Sequence, residues 1–159
     1  MRSARREGEA VMNDGYCIDN LLKTPISDID EDRLYTECLQ GTVESLSKMK
    51  ANKQQFLKLL IELKTIRSKY HHARLRNSEQ AWEHTQARLE LTRALLERKN
   101  DFIAYLFIHI IKHVASPEAF ETALLFLEGV YAQWAAQLGQ PRYNRRFGLE
   151  NRTSRRDKP

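Results

Sequence analysis

The sequence predicts an all-α fold: an elongated helical hairpin or bundle with coiled-coil-like segments and a hydrophobic C-terminal helical hairpin. Three observations lead there. Between Gly41 and Pro117 lie 75 residues without a glycine or a proline, where average usage would place roughly nine. Those two residues most often end helices and make turns. Apolar residues in the same stretch recur at spacings of three and four, the period of one helix face. Charged residues make up 30 % of the chain against 42 % hydrophobic, a balance that suits a protein with large solvated faces. Six Phe, six Tyr and two Trp still provide anchors for a packed interior.

The 159 residues are the length of one domain. Residues 1–24 read as a flexible N-terminal arm, 25–141 as a single all-helical domain, and 142–159 as a basic tail that is disordered when unbound.

The first helix start is marked by Pro25, Ser27 and Asp28, with Glu31 three residues after Asp28 in a capping-box arrangement. Asp28, Asp30, Glu31 and Asp32 put negative charge where the helix dipole favours it. This predicts a helix over about 28–40, with Gly41 either breaking it or lying inside a longer one at some cost. From Thr42 onward Phe56, Leu59, Leu60, Leu63, Ile66, Tyr70 and Ala73 define a buried stripe. A chain reversal is expected between Tyr70 and Ser78, where Asn77 and Gln80 resemble a capping pair. Without a reversal the helix would exceed about 100 Å at 1.5 Å per residue.

Leu75, Trp82, Leu89, Leu96, Ile103 and Ile110 then form a seven-residue ladder. Its companion positions Ser78, Thr85, Thr92 and Lys99 are polar, so only half of a coiled-coil seam is present. Ser116 and Pro117 mark a helix start, since serine caps and proline fits the first helical position. The last helix is predicted to end at Gly139 and Pro141. Residues 102–138 are accordingly expected to form a hydrophobic two-helix hairpin.

Several chemistries find no support. The six glycines stand singly, with no phosphate loop. No GxSxG elbow occurs, and neither Cys17 nor Cys38 sits beside a recognisable base or in zinc-finger spacing. His109 and His113 stand at i, i+4, but His109 lies in an apolar run and reads as a core or interface residue. No catalytic, cofactor-binding or metal-binding residue is assigned, and a non-enzymatic protein is expected. The apolar run 102–111 is far short of the roughly 18–20 residues that span a bilayer. The N-terminus carries no apolar signal segment, and a cytoplasmic location is expected.

Charge is unevenly placed. Between 48 and 76 nine lysines and arginines stand against one acid, Glu62, and 142–159 holds seven basic residues against two acidic. The expected function is a helical interaction or adaptor protein, scaffold- or chaperone-like, that works by helix–helix association with itself or a protein partner. A homodimer or obligate complex is expected, with Phe120, Leu124, Leu127, Tyr131, Trp134 and Leu138 forming the interface together with Ile103 and Ile110. The alternative is a nucleic-acid-binding helical protein, and an acidic protein would be drawn to the same charges. Its candidate polyanion contacts are Lys64, Arg67, Lys69, Arg74 and Arg76 in the basic segment. Arg142, Arg145, Arg146, Arg152, Arg155 and Arg156 would add to them from the tail.

Overall fold

The structure, a computed structural model, describes residues 22–149, with the backbone alone described from 138 onward. It is all-α: the described residues form five helices and no strand. A 3-10 turn at Ile26–Asp28 leads into α1 over 31–48. Then follow α2 at Lys53–Leu75, α3 at Ala81–Leu96, α4 at Phe102–Lys112 and α5 at Pro117–Leu149.

The first helix starts later and ends later than its sequence predicts. Asp28 belongs to the 3-10 turn, which is anchored by Ile26, buried to 1 % exposure. The cap is Asp30, whose carboxylate accepts the Arg33 N–H at 3.3 Å. The helix then passes through a π-turn at Leu34–Cys38 and continues through a buried Gly41 to Lys48. Gly41 therefore does not break it, and packing of Leu34, Cys38, Val43 and Leu46 outweighs the propensity cost. α1 lies against α5. Their approach is set at Gly129, where a Cβ would come within 2.7 Å of Leu39 Cδ1.

The glycine-free stretch is not one rod. Two of its breaks are Schellman caps built without glycine. Lys50, at φ 51°, ends α1, with Ala51 N–H donating to Leu46 C=O and Lys50 N–H to Ser47 C=O. Asn77, at φ 60°, ends α2 in the same way, with Ser78 N–H donating to Ala73 C=O and Asn77 N–H to Arg74 C=O. Asn77 thus closes the helix before it rather than capping the one after, and Gln80 before α3 makes no side-chain cap. A third break precedes Asp101, an extended residue whose carboxylate accepts the Ala104 N–H at 2.8 Å and Gln55 Nε2 at 3.2 Å. One carboxylate so joins the start of α4 to the start of α2.

These breaks spread the seven-residue ladder over three helices. Leu89, Leu96, Ile103 and Ile110 are buried, but Leu75 is 80 % exposed, so the ladder is not one supercoil seam. The expected two-helix hairpin over 102–138 is also opened out. α4 runs along α3, while α5 lies along α1 and α2. Phe56 of α2 sits where they meet, edge-on to Phe107 of α4 at 5.0 Å and to Trp134 of α5 at 5.7 Å. Each such aromatic pair adds about 0.5–1.5 kcal/mol beyond area burial. Ser116 caps α5 by accepting the Ala119 N–H at 3.1 Å. α5 does not stop at Gly139 and Pro141 but continues helical to Leu149. A proline inside a helix removes one backbone bond and crowds the carbonyl four residues earlier, yet its fixed φ is itself helical. The tail expected from 142 is therefore helical as far as 149, and its remainder lies outside the described residues.

Candidate anion-binding face

The expected self-association surface is mostly interior. Phe120, Leu124, Leu127, Trp134, Ile103 and Ile110 are each 2 % exposed or less within a single chain. Tyr131 is half-buried against the same core. Three helices cover them: α1 runs to Lys48 and lays its apolar side against α5, Phe56 of α2 meets Trp134 and Trp82 of α3 meets Phe120, while α4 packs along α3. The Leu138 side chain lies outside the described residues.

The basic segment divides between two faces of α2. On one, Lys64 pairs with Glu128 at 2.8 Å, and Arg67 and His71 both meet Glu121, at 3.3 and 3.2 Å. These contacts tie α2 to α5. On the other, Lys69, His72 and Arg76 follow each other at spacings of three and four and so share one exposed stripe. The turn at 76–80 sends α3 back along α2 and brings His84 and Arg88 to that stripe. Together with Ser78 they line a hollow of about 480 Å³. Arg74 is elsewhere, 5.7 Å from the centre of the Tyr70 ring.

No carboxylate lines this hollow. Glu79 and Glu83 are close in sequence yet take no part in it. Of the described residues none forms an ion pair with Lys69, Arg76 or Arg88. Arg93, five residues further along α3, shows the opposite condition. It is held between Glu90 and Glu97, and its hydrogen bond keeps the Glu90 carboxyl below the ordinary carboxylate range. The hollow thus presents three fixed cations, two imidazoles and a hydroxyl, which are donors suited to carboxylate or phosphate oxygens.

Sequence reasoning found Lys69 and Arg76 but missed His72, His84 and Arg88. His84 and Arg88 lie outside the basic run and join it only through antiparallel helix packing. Their i, i+4 spacing was the one signal available. Lys64 and Arg67 are engaged in the pairs with α5. The side chains of Arg142, Arg145 and Arg146 lie outside the described part of α5, and Arg152, Arg155 and Arg156 lie outside the described residues altogether.

The histidine pair of α4 does not converge. His109 Nδ1 lies 3.0 Å from the Tyr105 carbonyl oxygen, and His113 Nε2 lies 3.4 Å from that of Leu22. His109 is half-exposed rather than buried in the core. Among the described residues no three His, Cys, Asp or Glu side chains are grouped to hold a metal ion. Cys38 is buried in the core and Cys17 lies outside the described residues. No helix among the described residues is long and apolar enough to cross a membrane. Comparison with protein-family models, with curated protein sequences and with solved structures gave no match.

Proposed function

We propose that the protein is a non-catalytic helical interaction protein that docks an acidic partner on the outer face of the α2–α3 hairpin. One observation carries this reading: Lys69, Arg76 and Arg88 converge from two helices without a carboxylate among them, while Lys64, Arg67 and Arg93 are each neutralised within the chain. Cations held near one another repel, and an anionic ligand relieves that repulsion. The hollow is polar and exposed, which suits a reversible partner rather than an obligate one.

The test is charge reversal. The double variant Arg76→Glu, Arg88→Glu removes the hollow's field without touching the core, since both side chains are exposed. Polyglutamate binding, measured by titration, is expected to fall by about tenfold or more, with the thermal melt unchanged. Equal binding by variant and wild type overturns the proposal.

Nucleic acid is the second reading, favoured by the same cations together with arginines at 142, 145 and 146 on the continuation of α5. It predicts oligonucleotide binding that weakens by orders of magnitude between about 50 and 200 mM salt. Absence of binding at the lower salt removes it.

A further inference from the structure

The cationic hollow occupies only one end of the α2–α3 face. On α3, His84, Arg88, Leu91 and Leu95 follow at spacings of four, three and four, so they form one continuous stripe. Its first half is basic and its second half is leucine. Leu91 is 62 % exposed and Leu95 54 %, two large apolar side chains one turn apart on one face. Beside them a second depression of about 210 Å³ runs between α2 and α3, lined by Leu59, Leu95 and Leu96 together with Lys58, Lys99 and the carboxylate of Glu62. From His84 to Leu95 the stripe extends about 16 Å at 1.5 Å per residue.

We infer that this face docks one amphipathic helical segment of a partner protein. The segment is about three turns long, with carboxylates at one end and apolar side chains at the other. The inference rests on the anion-docking reading above and adds the identity of the occupant. Charge complementarity orients it. Its acidic end meets Lys69, Arg76 and Arg88, and its apolar end covers Leu91 and Leu95 and fills the depression over Leu59. This is the helix-in-groove mode, in which apolar anchors set affinity and end charges set direction. A polynucleotide fits the face less well, although Lys58 and Lys99 add cations at the leucine end. Its phosphates would pair with the cations, but exposed leucines offer no aromatic surface for bases to stack on.

The experiment compares three labelled probes on the full chain by fluorescence anisotropy. One is a helical peptide with glutamates in its first turns and leucines in its last. The second has the same glutamates with the leucines replaced by alanine. The third is a single-stranded oligonucleotide of equal charge. The amphipathic peptide is expected to bind about tenfold or more tightly than its alanine counterpart. Leu91→Ser with Leu95→Ser is expected to erase that difference and leave the alanine peptide's affinity unchanged. Arg76→Glu with Arg88→Glu is expected to weaken both peptides.

Equal affinity of the two peptides overturns the amphipathic occupant and leaves the anion-docking reading standing. Failure of both peptides to bind overturns both. Tighter binding of the oligonucleotide than of either peptide overturns the peptide occupant. If the leucine variants instead lower the protein's mass in light scattering, the stripe belongs to a second copy of the chain and the inference falls.

Discussion

α2 carries two basic faces of similar composition and opposite fate. Toward α5, Lys64, Arg67 and His71 meet Glu128 and Glu121. Toward α3, Lys69, His72 and Arg76 meet His84 and Arg88. The difference is made by the neighbours rather than by α2 itself. α5 brings its two glutamates, seven residues apart, to positions facing one stripe of α2. α3 places its own acids Glu83, Glu90 and Glu97 away from the hollow, and two of these are occupied with Arg93. A charge run read as one block in sequence is therefore half internal glue and half open surface.

The inner face depends on its apolar base, and the largest expected effect comes from removing it. Phe56→Ala deletes the ring that touches Phe107, Tyr131 and Trp134. It is expected to destabilise the fold by about 3–5 kcal/mol in chemical denaturation. A loss below about 1 kcal/mol would mean that α2 and α5 are held chiefly by their ion pairs.

A smaller effect, of opposite sign, is expected at the turn that leads into α2. Lys50 pays for a left-handed backbone that glycine adopts without cost. Lys50→Gly is expected to stabilise the protein by about 0.5–1 kcal/mol, read as a raised melting temperature. Destabilisation would show that the Lys50 side chain has a contact worth more than the strain.

The smallest stability change is expected from Glu121→Gln, which strips Arg67 and His71 of their shared partner. Exposed pairs of this kind contribute about 0–1 kcal/mol. The informative readout is binding. The variant makes the inner face resemble the outer one, so polyglutamate affinity should rise if loose cations alone suffice. An unchanged affinity would show that the geometry of the α2–α3 hollow is what selects the anion.

The sequence made the helical class and much of the core legible. The stripe from Phe56 to Tyr70 and the aromatics of α5 lie at helical spacing, and their burial follows from that period. The Ser116–Pro117 boundary was readable because its capping chemistry is local. The end of α1 was not. It turns on Lys50 in a conformation that composition does not announce, and Asp101 caps α4 in a stretch with no proline or glycine to flag it. The cationic hollow was half legible. Lys69 and Arg76 stand in an obvious basic run, whereas His84 and Arg88 acquire their place only from the register of α3 against α2. The apolar face of α5 was recognised as one that needs a cover. Its cover is α1 and α2 of the same chain, and α1 reaches it because Gly41 does not end that helix.

The pairing of α1 with α5 also has a consequence in time. α1 is synthesised before its counterpart, with more than seventy residues between Leu46 and Phe120. At about 5–20 residues per second the ribosome needs roughly 4–15 s to deliver that span. Throughout that interval Leu39, Val43 and Leu46 have no α5 to lie against. For that time the apolar side of α1 must stay folded or sheltered without the helix it is shaped to meet.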